Sequence, residues 1–365
     1  MLGCGFFPAY QQGQFVHYHN PDKKLAHVVI VYRDVQKMGP HSHRALGVNA
    51  MHTCKVLRKN GIRCDPLGVW PAKSLLKEIK LFPTCTHCVI EAPWIPVDIM
   101  MQLLIENPQI HWVVRTHSQI GFLQVEPGAV SILRDLMHMQ DVELNLTVAT
   151  NSERLSNIFE NVYQGRAIHL PNLYDLERPS TKLSEAHDHR KLVIGSFGAL
   201  RLLKNHTTSA AASLIIAKRR RCDLEFWINV GREETNGAKD VLPTLRNMFK
   251  GLPWARLVES PWESWSSFRR TIAHMDLLMQ VSFTETFNIT AADAVSEGVP
   301  VVGGEAIEWL PDEWKASPDD AHNVARIGMA LLSDPGAAAD GLRALVKHQK
   351  NAVELWLSYL DSNPT

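Results

Sequence analysis

The stretch FTETFNITAADAVSEGVPVVGG, Phe283 to Gly304, sets two acids, Glu285 and Asp293, with seven residues between them in a segment otherwise suited to burial. A strand ending near Ser282 leads into it, a loop carries Glu285, and a helix from about Ile289 to Ser296 stops at Gly298 before VPVV begins another buried strand. Strand, loop, helix and strand in that order form the unit of a parallel sheet, which binds ligands where strand ends meet helix amino termini. Asp293 lies one helical turn after Ile289 on the same face, so its carboxylate sits on a packing surface and requires a partner. The N–H groups around Phe287, Asn288, Ile289 and Thr290 suit a phosphate.

The alternation extends in both directions. Upstream of the opening stretch, KLVIGSFGAL, LEFWINVG, ARLVES and DLLMQVS read as strands, separated by the helical patterns NHTTSAAASLIIAKRR, DVLPTLRNMFKG and ESWSSFRRTIAHM. Earlier still, HVVIVYRD (His27 to Asp34) is a strand, His43 to Gly61 a helix closed by glycine, and Ile62 to Trp70 the next strand. THCVIEAPWI, HWVVRTHS and VELNLTVATNS continue the strands, with helices at PVDIMMQLLIENP and GAVSILRDLMHM. Leu176 to Arg190, polar and without apolar periodicity, is the expected linker. The chain is therefore expected to be α/β, with two consecutive doubly wound parallel-sheet units and a terminal amphipathic helix in GLRALVKHQKNAVELWLSYL.

Bulk properties agree with two soluble domains. The 365 residues exceed one typical core, and 38 basic residues balance 38 acidic ones, which argues against an electrostatic nucleic-acid binder. No run near 20 apolar residues suggests a membrane span, and MLGCGFFPAYQQGQF lacks the pattern of a signal peptide. Six scattered cysteines favour free thiols in a reducing compartment, and the expected location is cytoplasmic. Cys85 and Cys88 form a C-x-x-C pair without a second pair, so buried thiols are expected there and no metal.

The opening stretch resembles the E-x7-E signature of family-4 glycosyltransferases, here Glu285, Thr286, Phe287, Asn288, Ile289 and then Asp293, followed by EGVPVVGG. That resemblance implies the GT-B fold, two Rossmann-like domains facing across a cleft. Residues 1–178 would be the acceptor-side domain and 179–345 the donor-nucleotide domain, with 346–365 a helix packing back on the first. It also implies retaining, metal-independent transfer of a sugar from a UDP- or GDP-sugar to an acceptor, with no further cofactor. Glu285 would contact the donor sugar or its phosphate and Asp293 the ribose hydroxyls. Asp293 is one methylene shorter than the usual glutamate.

Further segments carry the resemblance. In GSFGALRLLKNHTTSAAA, Arg201 and Lys204 stand between a strand and a helix, where two cations can meet a diphosphate. Taken alone, they read more readily as surface charges flanking a helix. IHLPNLYD matches the family's strand followed by P-N-G-x-D, with Leu173 in place of glycine, and INVGREET places Gly231 where the base usually sits. In the first half, Gly39 occupies the glycine-loop position and His117 ends a strand near the expected sugar. Two other readings stay open: a catalytically silent sugar-nucleotide binder, and another enzyme on the same fold such as an epimerase or phosphorylase. No G-x-G-x-x-G follows the first strand of either half, which argues against a nicotinamide dehydrogenase.

Overall fold

The structure is a computed structural model that describes residues 26–34, 44–142, 145–163, 165–176, 190–232 and 238–362. The first half forms a sheet of β1 (His27–Arg33), β2 (Arg63–Val69), β3 (His87–Glu91), β4 (His111–Thr116), β5 (Leu146–Thr150) and β6 (Ala167–His169). Its helices are α1 (Arg44–Lys59), α2 (Leu75–Glu78), α3 (Val97–Glu106), α4 (Ile120–Leu123), α5 (Pro127–Gln140) and α6 (Glu153–Tyr163). The second sheet contains β7 (Lys191–Ser196), β8 (Asp223–Asn229), β9 (Ala255–Ser260), β10 (Leu277–Gln280), β11 (Val301–Gly304) and β12 (Lys315–Ala316). It is accompanied by α7 (His206–Arg220), α8 (Ala238–Phe249), α9 (Trp265–Ala273), α10 (Ile289–Ser296) and α11 (Ala321–Ser333), and α12 (Ala337–Ser362) follows.

Every strand pairing is parallel, in the orders β2-β1-β3-β4-β5-β6 and β12-β11-β10-β7-β8-β9. Parallel sheets are covered on both faces, which is why HVVIVYR carries the uninterrupted apolar run VVIV at its centre. Its side chains still divide by period two: Val29 and Val31 join Ile90, Trp112 and Val114 in one core, while Val28 and Ile30 join Val89 and Val113 in another. Strand order reverses between β1 and β3 in the first sheet and between β7 and β10 in the second, so each sheet has a crevice at its switch point.

Several elements lie outside the sequence expectation. Helices α2, α4, α6 and α11 and strand β12 are additional, and α12 begins at Ala337, ahead of the expected terminal helix. The buried face of α11 consists of Val324, Ala325, Ile327, Gly328 and Leu331, and a Cβ at Gly328 would lie 2.8 Å from Ile216 of α7. Small residues that permit such close approach dilute the apolar periodicity by which helices are read. The expected linker lies outside the described residues apart from its two ends. No helix among the described residues is long and apolar enough to cross a membrane.

Helix α12 ties the halves together. Ala337 and Leu345 belong to the core of the second domain, whereas Ala352, Trp356 and Leu360 belong to a core of the first. Trp356 is fully buried and its indole Nε1 donates to the carbonyl of Pro171 at 2.8 Å. Trp356→Ala should therefore cost about 3–5 kcal/mol, read as a lower midpoint in urea unfolding; a loss under about 1 kcal/mol would be incompatible with this docking.

Candidate functional site

The switch point of the second sheet gathers the loops after β7 and β10. After β7 the chain passes Gly198, whose φ of +132° favours glycine and whose added Cβ would lie 3.2 Å from Cε of Lys204. Arg201 and Lys204 follow, and Asn205 then adopts a left-handed conformation (φ 57°) at the start of α7, with its amide donating to the carbonyl of Val281 at 3.1 Å. That bond and the one from Phe283 N to the carbonyl of Leu203 (3.0 Å) fasten the cation loop to the loop after β10.

Glu285 is consequently brought onto Lys204, and the two side chains form a largely buried ion pair. Ser282 Oγ donates to the same carboxylate oxygen at 3.2 Å. Burial alone would push the Glu285 carboxyl up, but Lys204 and Arg201 outweigh it and hold the group below the ordinary glutamate value, so it is ionised at neutral pH. Asn288 caps α10 from a left-handed conformation, its Oδ1 accepting from Ala291 N at 2.9 Å, and its amide donates to Gln280 Oε1 at 3.0 Å. Gln280 in turn donates to the carbonyl of Phe197 at 3.1 Å, so the end of β10 holds both neighbouring loops.

Across the cleft, His117 follows β4. Its Nε2 contacts the carboxylate of Glu91, and Asn151 Nδ2 lies 3.2 Å from its Nδ1. Glu91 is fully buried and receives NH2 of Arg115 at 2.8 and 3.0 Å on its two oxygens, while NH1 of Arg115 donates to the carbonyl of Leu170 at 2.9 Å. Burial pushes Glu91 up, but Arg115 and His117 together prevail and hold it at about 2. His117 is pushed below its ordinary value mainly by burial, against the raising effect of Glu91, so the ring is neutral at pH 7. The domains meet here: Asn151 Nδ2 donates to Thr286 Oγ1 at 2.9 Å, and that hydroxyl donates to the carbonyl of His117 at 3.2 Å. Arg201 also crosses the boundary, its guanidinium lying 4.6 Å from the ring centre of Phe122.

These groups line a cleft of about 790 Å³ whose walls include His117, Arg201, Lys204, Glu285, Thr286, Phe287, Asn288, Ile289, Thr290 and Asp293. The phenyl ring of Phe287 is buried and stacks on His348 of α12 at 5.0 Å. Gly231 is not among the lining residues, although Asn229 and Arg232 beside it are. Gly39 lies outside the described residues. Asp293 is 1% exposed; Tyr174 OH donates to one of its oxygens at 2.6 Å and Trp265 Nε1 to the other at 3.0 Å. Burial pushes its carboxyl up to about 6 against these two donors. The Cys85 and Cys88 thiols are buried, and among the described residues no group of three or more His, Cys, Asp or Glu is arranged to hold a metal ion.

Sequence reasoning missed Glu91, Arg115, Asn151 and Gln280. The only available signal was a charged or amide residue inside or just after an apolar strand, as in CVIEAPW and HWVVRTHS.

No protein-family model matches the chain, and no curated protein matches it in sequence. Solved structures do share its fold. A UDP-forming alpha,alpha-trehalose-phosphate synthase from Burkholderia xenovorans aligns with a TM-score of 0.64 over 93% of this chain and 98% of its own, at 11% identity. Sucrose-phosphate synthase from Thermosynechococcus elongatus gives 0.63 over 91% and 98%, at 13% identity. An E. coli structure described as trehalose-6-phosphate bound with UDP-2-fluoro glucose gives 0.60 over 90% and 96%, at 10% identity. The fold is thus GT-B, two Rossmann-like domains facing across a cleft; the likeness does not single out family 4.

The Glu91 network generates a pH prediction. A carboxyl held at about 2 in the folded chain, against an ordinary 4.5, contributes stability above pH 4.5 that is lost as pH falls toward 2. Glu91→Gln should be less stable at pH 7 by on the order of 3 kcal/mol, and the deficit should shrink by about half by pH 3. Urea unfolding at the two pH values measures it; an unchanged deficit would mean that Glu91 acts by packing and not by charge.

Proposed function

We propose that this chain is a glycosyltransferase that moves a sugar from a nucleoside-diphosphate donor to an acceptor seated against the first domain, with retention of anomeric configuration. The observation that carries the reading is the meeting of Arg201, Lys204, Glu285 and the amino terminus of α10 at the switch point of the second sheet, opposite His117. A cleft of about 790 Å³ suits a sugar nucleotide. As the anomeric C–O bond breaks, negative charge grows on the diphosphate, and two fixed cations with a helix amino terminus stabilise it most where water is excluded. The UDP of the structural neighbours supports UDP over GDP.

In this reading Glu285, ionised and oriented by Ser282, accepts hydroxyls of the donor sugar. Lys204 exchanges part of its contact with Glu285 for the diphosphate. His117, neutral and held by Glu91 and Asn151, closes the sugar end of the cleft. The glycine approach expected of Gly39 and the base contact expected of Gly231 remain part of the proposal. The free thiols at Cys54, Cys64, Cys85, Cys88 and Cys222 support a reducing, cytoplasmic setting. Asp293 and Leu173, where the resembled pattern has glutamate and glycine, favour a second reading, a protein that binds a sugar nucleotide without transferring the sugar. Product analysis separates the two, because the binder leaves the donor intact with any acceptor.

Thermal-shift screening against UDP, GDP and their hexoses tests the main reading, since a ligand of the folded state raises the melting point according to its affinity. At least one of them should stabilise the wild type, and Lys204→Ala should weaken its binding by about ten- to a hundred-fold. A stabilising nucleotide whose affinity is unchanged in Lys204→Ala would remove the diphosphate from this loop.

A further inference from the structure

Four acids line the cleft: Asp34, Glu263, Glu285 and Asp293. Glu285 is committed to Lys204, and Asp34 follows β1 in the opposite domain. Asp293 is engaged on both oxygens by Tyr174 and Trp265, and its surroundings close it further. The Tyr174 ring is 1% exposed and stacks on His52 at 4.6 Å, while Trp265 meets the same imidazole edge-on at 5.0 Å. Two rings therefore hold the carboxylate that the sequence resemblance assigned to the ribose, and a third packs against both of them. Each oxygen already holds a donor and the residue is 1% exposed, so Asp293 offers a ribose almost no open surface.

Glu263 has the opposite character. It follows β9, the edge strand of the second sheet, is only partly buried, and lines the open cleft. One of its oxygens, Oε2, accepts from Thr271 Oγ1 at 2.8 Å, an arrangement that orients the carboxylate while leaving acceptor capacity on the other oxygen. The adjacent Trp262 has the Arg232 guanidinium 5.0 Å from its ring centre, so a flat cationic and aromatic surface borders the acid. A vicinal diol presents two O–H donors, and an ionised carboxylate is the side chain that accepts both.

We propose that Glu263, and not Asp293, receives the ribose hydroxyls of the donor nucleotide, while Asp293 locks the segment around Tyr174 onto α10. This assignment rests on the nucleotide-sugar reading above and adds a nucleotide-recognition residue to it. Tyr174 belongs to the segment that leaves β6 toward the second domain, and its backbone N–H also donates to Gln349 Oε1 of α12 at 2.7 Å. The phenol thus fixes the junction of the two domains to the floor of the cleft.

Calorimetric titration of the full chain with UDP and GDP, each beside its 2′-deoxy analogue, tests the assignment. The ribonucleotide that binds should do so about ten-fold or more tighter than its 2′-deoxy analogue in the wild type, since a hydrogen bond to a charged group is lost. Glu263→Ala should bring the two within about two-fold, whereas Asp293→Asn and Tyr174→Phe should preserve the gap. Tyr174→Phe should also lower the unfolding temperature, because it leaves a buried carboxylate short of a donor. A gap that survives in Glu263→Ala, or one that collapses in either of the other two variants, overturns the assignment while nucleotide binding itself stands. No binding of either ribonucleotide by the wild type would overturn the nucleotide-sugar reading and the assignment together.

Discussion

A buried lysine or glutamate is costly alone and tolerable as a hydrogen-bonded pair, and the second domain is organised around that constraint at Lys204 and Glu285. The two residues stand on loops 81 positions apart in the chain. They meet because β7 and β10 are neighbours in the sheet and because Asn205 and Phe283 fasten one loop to the other. The left-handed conformations of Asn205 and Asn288 place helix amino termini directly behind these loops. Asparagine tolerates that conformation and its side chain bonds nearby backbone groups, here the Val281 carbonyl and the Ala291 N–H. The result is an anion-attracting floor in which Glu285 offsets the charge of only one of two cations, Arg201 and Lys204.

The opposite wall follows the same rule with different parts. Glu91 and Arg115 lie on adjacent strands and are both fully buried, and the carboxylate is shared with His117. This trio reaches the other domain through Asn151 and Thr286, and Arg115 lies 5.3 Å from the ring centre of Trp356 in α12. Loop positions at the cleft are thus coupled to the packing of a helix that spans both cores. Trp356 and Arg115 are connected to His117 through these contacts with Glu91.

Much of this was legible in the chain. Alternating apolar strands and amphipathic helices indicated two parallel sheets, and α10 occupies the span Ile289 to Ser296 read from its flanking loop and Gly298. The positions of Glu285, Arg201 and Lys204 at strand ends were readable because loops after β-strands have a defined place in doubly wound sheets. Pairings between distant residues were not. Nothing local in NLYD says that Tyr174 donates to Asp293, 119 residues away, or that Glu91 meets His117 across a strand pair. A resemblance built on the spacing of Glu285 and Asp293 could place an acid on the buried face of α10. It could not show that two aromatic donors already hold it, because Tyr174 arrives from the segment that leaves the first domain and Trp265 from the start of α9.

The most direct test of the central claim, that the second domain grips a diphosphate between the Arg201–Lys204 loop and the start of α10, is a crystal structure of the chain soaked with UDP. Phosphate density is expected within hydrogen-bonding distance of Lys204 and the Thr290 region, with the nucleoside directed toward Trp262 and Glu263. Ordered UDP lying against the first domain, or anywhere that leaves Lys204 paired only with Glu285, would contradict that claim.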